Sequence, residues 1–389
     1  MSEKQPCIML VAAEASGDVL GASLAQALKR RLGGVRLVGV GGEKMAAEGI
    51  ESPFDIRQLS ILGLFEGLLA YPRVIARADD TAALAAREKP DIAVLIDSWG
   101  FTLRVAQRLK RQTPDLPVIK YVGPQVWASR PGRARTLAKT VDHLMAIHAF
   151  DAPYFERAGL KTTFVGNPTL ARDFSGADGV RLRRELNIAP DAPILLVLPG
   201  SRASEIARVT PPFEEAARLL KAERPTLEVV IAAAATVADV VKTNAAGLPF
   251  PTHVIEGDAA RYDAMKAATV ALACSGTVTT ELALAGCPMV VGYRLGNITY
   301  AIARRLIRTP YITLLNIAAG EPVAPEFIQA RCNGPDLARA LALRLDDPTF
   351  RAGQIAAQNA ALAQMGRGAP DPSERAAEVV VGLLRTGSA

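Results

Sequence analysis

The chain has 389 residues, half of them apolar and 22% charged, enough for roughly two domains with real cores and incompatible with a disordered chain. Its formal net charge of +6 suits an anionic partner, and the lack of aromatic-rich basic motifs argues against nucleic acid. No apolar run reaches the roughly 18 residues of a membrane span.

The chain opens on an apolar stretch, Cys7 to Ala13, that follows Lys4 and runs into Ala13-Glu-Ala15, an imitation of a signal-peptide cleavage site. The stretch is short for a leader and Glu3 spoils the positive flank, so it reads as a first β-strand, and the protein is expected in the cytoplasm. Short β-branched runs then alternate with helical patterns. Strands are predicted at Ile8–Val11, Arg36–Val40, Ile92–Ile96, Val118–Tyr121 and His143–Ile147. Later ones are predicted at Ile194–Leu198, Glu228–Ile231, Val270–Ala273 and Met289–Tyr293. Helical stretches such as Ala22–Arg31, Arg104–Arg111 and Leu337–Leu345 lie between or after them. This order predicts an α/β chain of two doubly wound, Rossmann-like parallel sheets facing each other across a cleft. Gly166 to Gly179, rich in Gly, Asp and Pro and without a clear period, marks the seam, so the expected domains are 1–172 and 173–365. The segment 366–389 holds Asp371-Pro-Ser-Glu374, which reads as an N-cap, a first-turn proline and a reciprocal glutamate. Ala376, Val380, Leu383 and Leu384 follow at helical spacing, and this helix is expected to pack on the first domain or on a partner subunit. Cys7, Cys274, Cys287 and Cys332 form no C-x-x-C pair and read as buried free thiols.

In open α/β sheets ligands gather at the carboxyl ends of the strands, and the unusual polar residues of this chain fall there. Glu14-Ala-Ser16-Gly17-Asp18 follows the first strand, Asp97-Ser-Trp-Gly100 the third, and Gly123-Pro-Gln-Val-Trp127 the fourth. In the second half, Leu198-Pro-Gly-Ser-Arg202 and Ser275-Gly276-Thr277-Val-Thr-Thr-Glu281 each end an apolar run and open a helical pattern. Such turns aim backbone N–H groups and a helix dipole at one spot, which then favours an anion. Arg202 adds a planar fork of donors that matches phosphate oxygens in pairs. Glu281 either takes two ribose hydroxyls or supports the dipole as a first-turn acid. Together the two turns point to a nucleotide diphosphate carrying a sugar. The chain has no Asp-x-Asp clamp for a divalent metal, so arginine and helix N-termini are expected to stabilise the leaving group. Asp97 either caps the helix that follows it or serves as a general base desolvated by Trp99 and Phe101. Glu14 is either a turn acid or a partner that orients an acceptor hydroxyl.

Other motifs fail. Gly39-Val-Gly-Gly42 hints at a dinucleotide loop, but the third glycine would fall on Lys44. There is no G-x-x-x-x-G-K-[ST] and no G-x-S-x-G. His143, His148 and His253 support neither a metal site nor a triad. Ile61, Leu64, Phe65, Leu68 and Leu69 recur at helical spacing among Arg57, Arg73 and Arg77. They read either as a core helix or as an amphipathic helix in a lipid interface.

Val11-Ala-Ala-Glu-Ala-Ser-Gly-Asp18, Gly39-Val-Gly-Gly-Glu-Lys-Met45, Tyr121-Val-Gly-Pro-Gln-Val-Trp127, the Arg202 and Glu281 turns, and Cys287-Pro-Met-Val-Val-Gly-Tyr-Arg294 together resemble the lipid-A-disaccharide synthases, with Tyr311 to Asn316 continuing the match. The resemblance runs from about Cys7 to the C-terminus. It implies a GT-B, inverting, metal-independent glycosyltransferase without a cofactor. Such an enzyme moves 2,3-diacylglucosamine from UDP to 2,3-diacylglucosamine 1-phosphate (lipid X), forming the β-1,6 disaccharide and releasing UDP. It also implies a peripheral protein on the cytoplasmic face of the inner membrane, and in some members a homodimer that exchanges C-terminal segments. By resemblance Asp97 is the base, and Glu14 is an important acid of a first loop that includes Ser16, Gly17 and Asp18. Arg202 falls near the UDP phosphates, and Ser275, Gly276, Thr277, Glu281 and Asn316 fall on the nucleotide side. Ser98-Trp-Gly-Phe101 departs from the family's Ala-Pro-Asp-Phe, and Ala128-Ser-Arg130 from its Ala-Trp-Arg. The rival readings are a UDP-sugar 2-epimerase of the same fold and a non-catalytic, membrane-associated UDP-sugar binder.

Overall fold

The computed structural model describes residues 5–59, 64–307 and 309–386, without the side chains of 64–70, 298, 302, 303 and 386. The chain divides into two compact units, Met1–Pro168 with Gly368–Ala389, and Thr169–Arg367.

The first unit holds β1 (Cys7–Ala12), β2 (Arg36–Val40), β3 (Ile92–Ile96), β4 (Val118–Tyr121), β5 (His143–Ala146) and β6 (Lys161–Phe164). They form one sheet of order β2-β1-β3-β4-β5-β6, parallel throughout. Its helices are α1 (Ala15–Leu32), α2 (Glu43–Ala47), α3 (Leu64–Glu88), α4 (Trp99–Gln112), α5 (Gly132–Ala138) and α6 (Ala152–Glu156). The second unit holds α7 (Gly179–Glu185), β7 (Ile194–Leu198), α8 (Ala203–Glu223), β8 (Glu228–Ala233), α9 (Ala238–Ala246) and β9 (His253–Glu256). It continues with α10 (Asp258–Ala267), β10 (Val270–Ala273), α11 (Thr277–Leu284), β11 (Met289–Tyr293), α12 (Asn297–Leu306) and α13 (Leu314–Ala319). It closes with β12 (Glu326–Ile328), α14 (Gly334–Asp346) and α15 (Pro348–Gln364), after which α16 (Pro372–Thr386) returns to the first unit. The second sheet runs β12-β11-β10-β7-β8-β9, the strand order of a Rossmann fold.

Successive strand residues point to opposite faces, and both faces of these sheets are covered. Ile8, Leu10 and Ala12 of β1 join Ile92, Val94 and Ile96 of β3 in one core, with Leu24 and Leu28 of α1. Met9, Val11, Ala93 and Leu95 enter the other, with Val105 and Leu109 of α4. That is why the central strands read as unbroken apolar runs. Three strands have no such run. β6, β9 and β12 are sheet edges with mostly half-buried residues, so they carry little hydrophobic signal.

α16 packs on the first unit through Ala376, Ala377 and Val380, all fully buried. Asp371 Oδ1 accepts from the Ser373 N–H at 2.7 Å, as an N-cap does. Glu374 does not reciprocate. Its carboxylate pairs with Arg30 at 2.7 Å and Arg31 at 3.0 Å in the last turn of α1. Gly39 and Gly42 are packing residues. A Cβ at Gly39 would overlap the Leu10 carbonyl, and one at Gly42 would come within 2.7 Å of Asp18 Oδ2. All four cysteines are buried. No helix among the described residues is long and apolar enough to cross a membrane.

Candidate functional site

Each sheet has a point where the chain leaves one strand for one side and returns on the other, and the loops diverging there leave a crevice. In the first unit that point lies between β1 and β3, with Ala12 in register with Ile96. Glu14 follows β1 and Asp97 follows β3, so the fold brings the two candidate acids to one place. Glu14 is exposed at the N-cap position of α1 and makes no capping bond. Asp97 and Ser98 both adopt left-handed backbone, with φ of 46° and 40°. Ser98 occupies the N-cap of α4 and no side chain caps it, so Asp97 is not spent on starting the helix.

That strained turn is clamped from below. The Asp97 N–H donates to the Tyr121 carbonyl at 2.8 Å, and the Asp97 carbonyl accepts from Thr102 Oγ1 at 2.8 Å and from Lys120 Nζ. Lys120 Nζ also donates to Thr102 Oγ1 at 2.8 Å. Lys120 is 3% exposed, and burial pulls its ammonium down to about 7, against the opposing pull of the Asp97 and Glu14 charges. Reading strand by strand missed this lysine. Its signal is a charged residue inside the run Val118-Ile-Lys-Tyr121 of a fully buried strand. The Gly123–Trp127 loop is pinned in turn, with Trp127 Nε1 donating to Asp151 Oδ1 at 2.7 Å.

Beside this turn lies a cleft of about 300 Å³, lined by Glu14, Tyr71, Ser98, Trp99, Phe101 and Arg104, with Leu59 and Val74 behind. The other first-loop candidates stand apart. Ser16 is exposed. Gly17 is buried, where a Cβ would lie 3.3 Å from that of Ala12. Asp18 is engaged within the protein. Its Oδ1 accepts from the N–H groups of Gly42 (2.7 Å) and Met45 (3.0 Å), and its Oδ2 from that of Lys44 (2.9 Å). Asp18 thus caps α2 from another helix, and three N–H groups take up its carboxylate. Of the apolar set between Arg57 and Arg73, Ile61 lies outside the described residues. Leu64, Phe65, Leu68 and Leu69 belong to the backbone of α3, with side chains outside the description.

In the second unit the crossing point lies between β7 and β10, with Leu198 in register with Ala273. A cleft of about 580 Å³ opens there, lined by the turns 198–202 and 274–278 together with Arg172, Arg261 and Glu281. α8 starts after Arg202 and α11 after Gly276, and neither start has a side-chain cap. Both first turns therefore keep donors for a ligand, and both dipoles favour negative charge. Gly200, at φ 110°, makes the bend that only glycine takes easily, and a Cβ there would come within 2.9 Å of Glu205. Arg202 is 72% exposed and reaches Glu205 at 3.1 Å. Burial pushes the Cys274 thiol up to about 12, which makes it an inert wall of the cleft.

Ser275, Gly276, Thr277 and Glu281 all line this cleft. Glu281 is 3% exposed, and its two oxygens pair with Arg172 and, at 3.4 Å, with Arg261. Neither arginine was legible as a site residue. Arg172 sits in the seam, which has no period, and Arg261 lies in the helix after edge strand β9. Asn316 stands apart from these residues. It is fully buried and does not line the cleft. Its Nδ2 donates to the Ala324 carbonyl (2.7 Å) and Glu326 (2.8 Å), and its Oδ1 accepts from the Ala324 N–H (2.9 Å). The amide holds the chain before β12.

A family model described as lipid-A-disaccharide synthetase matches residues 8–379. The chain is similar to the lipid-A-disaccharide synthase of Rhodospirillum centenum, 43% identical over 378 residues that span 97% of this chain and 94% of that protein. It is also similar to that of Paramagnetospirillum magneticum, 41% identical over 383 residues that span 98% of each. Among solved structures, a putative UDP-N-acetylglucosamine 2-epimerase from Listeria monocytogenes aligns with a TM-score of 0.64 at 15% identity, over 98% of this chain and 96% of that one. A S. aureus MnaA–UDP structure aligns with a TM-score of 0.61, also at 15% identity, over 97% and 95%. These two show likeness of fold.

Proposed function

The chain belongs to the lipid-A-disaccharide synthetase family, and from that premise we propose that it moves 2,3-diacylglucosamine from UDP to 2,3-diacylglucosamine 1-phosphate (lipid X), forming the β-1,6 disaccharide 1-phosphate and UDP. The observation that carries this reading is identity of 41–43% to synthases over nearly the whole length of both partners. The two Rossmann-like units are the GT-B fold.

The reaction is read as a single inverting displacement. Asp97 takes the proton of the acceptor's 6-hydroxyl, and that oxygen bonds to the anomeric carbon from the face opposite the diphosphate. The carbon–oxygen bond to UDP breaks, and UDP keeps the electron pair. Arg202 and the uncapped starts of α8 and α11 meet the charge that grows on the diphosphate. Incubating the purified protein with UDP-2,3-diacylglucosamine and lipid X is expected to give a disaccharide of the summed mass, and UDP. Epimerised donor formed without lipid X would instead favour the epimerase reading, and donor binding without turnover the non-catalytic one.

Both substrates carry acyl chains, which supports a peripheral place on the cytoplasmic face of the inner membrane, reached through Ile61, Leu64, Phe65, Leu68 and Leu69. Tyr71, in the following turn, is 49% exposed. Glutamate at Leu64, Phe65, Leu68 and Leu69 together is expected to abolish co-sedimentation with anionic phospholipid vesicles, and unchanged sedimentation would refute this placement. A homodimer that exchanges C-terminal segments would keep the α1–α16 contacts but make them between copies, and a monomeric mass in solution at assay concentration would refute it.

A further inference from the structure

We propose that the cleft of the first unit seats the phosphomonoester of the acceptor, with Arg104 as its ligand. The inference rests on the transfer reading above and deepens it.

The cleft wall sets an apolar surface beside one cation. Leu59, Val74 and Phe101 are buried hydrophobics, and Arg104 stands among them at the first turns of α4. Its guanidinium is held at two points. Nη1 donates to the Gly100 carbonyl at 2.5 Å, and Cζ lies 4.8 Å from the centre of the Tyr71 ring. A guanidinium fixed in this way keeps further N–H groups for a ligand and loses little side-chain entropy on binding. Among the described residues no carboxylate pairs with it, whereas Arg108, one turn further along α4, is tied to Asp79 at 2.5 Å.

A second cation flanks the same wall. Arg133 of α5 stacks on Trp99 at 5.1 Å, is half-buried, and has no acidic partner among the described residues. Burial and the neighbouring Arg130 both pull its pKa down, the mark of a cation without a counterion. The wall therefore gains when an anion arrives. A neutral sugar would not answer that charge, and an inorganic anion would not use the apolar wall. A phosphorylated sugar carrying acyl chains uses both. Glu14 and Ser98 line the cleft too, and Ser98 is joined to Asp97. An acceptor anchored by its phosphate at Arg104 thus has its sugar beside the two acids. The diphosphate of the donor has its own anion site at the starts of α8 and α11 in the other unit.

The test compares two acceptors, lipid X and the same diacylglucosamine without its phosphate, on the wild type, Arg104→Gln, Arg104→Lys and Arg133→Gln. Arg104→Gln is expected to lower kcat/KM for lipid X by about 30-fold, mostly through KM, and to leave the phosphate-free acceptor and the donor KM within about threefold. Arg104→Lys, which keeps the charge and loses the fork, is expected to fall between the two. Equal losses on both acceptors would mean a structural role and overturn the assignment. So would an unchanged preference in Arg104→Gln, or a preference lost only in Arg133→Gln. If the wild type transfers to neither acceptor, the transfer reading fails on its own. Vesicle-free binding of the two lipids to wild type and Arg104→Gln then decides the phosphate site by the same ratio.

Discussion

Replacing Asp97 by asparagine is expected to lower kcat by about 10³-fold while leaving both KM values and the thermal midpoint nearly unchanged. The argument starts from the backbone. Asp97 stands at φ 46°, a region that most side chains resist and that asparagine accepts almost as readily as aspartate. The bonds that hold the turn are made by main-chain atoms of residue 97, so they survive the change. Only the carboxylate is lost, and an amide cannot take a proton from the acceptor hydroxyl. Glu14→Gln is the companion experiment, because Glu14 lines the cleft beside the same turn. Full turnover in Asp97→Asn would remove the residue from the reaction, and a larger loss in Glu14→Gln would pass the role of base to Glu14.

Lys120→Met is expected to separate stability from activity. Burial holds the Lys120 ammonium near 7 in the folded chain, against 10.5 for the ordinary side chain. Between those values the unfolded chain binds the proton and the folded chain does not, so this group makes stability rise with pH. Below about pH 7 both states are protonated and the fold carries the whole cost of a buried charge. Methionine has a similar volume and no charge. The variant is therefore at least as stable as the wild type below pH 7, and the gap narrows as pH approaches 10.5. Turnover moves the other way. The Asp97 carbonyl loses one of its two side-chain donors and keeps Thr102, the turn loosens, and kcat falls by about 100-fold. Denaturant melts at pH 6 and pH 9, together with kcat, read both. Activity and stability falling in parallel would reduce Lys120 to a packing residue.

The limits of reading the chain residue by residue show in Asp18, Asn316 and Glu281. Each is a polar residue inside a well-marked motif, and the type alone suits a ligand. Asp18 instead meets three N–H groups at the start of a helix 25 residues away, between Gly42 and Met45. Asn316 gives its amide to Ala324 and Glu326. Glu281 does line the cleft, but its partner Arg172 comes from a distant part of the chain. A motif reports that a residue type is needed at a place. It does not report which polar atoms the fold has already satisfied.

The sequence by itself determined the class of fold, the central strands and the two turns at each crossing point. Those features depend on local physics: an apolar run buried on both faces, a glycine at a bend, and an uncapped helix start after a strand. Tertiary structure alone decided the edge strands β6, β9 and β12, the left-handed Asp97–Ser98 turn with Lys120 beneath it, and the arginines around Glu281 and Trp99. The reason is that each of these is a property of groups far apart in the chain. Half-buried edges have no apolar run to announce them, and a charge in a core or cleft is defined by what surrounds it in space.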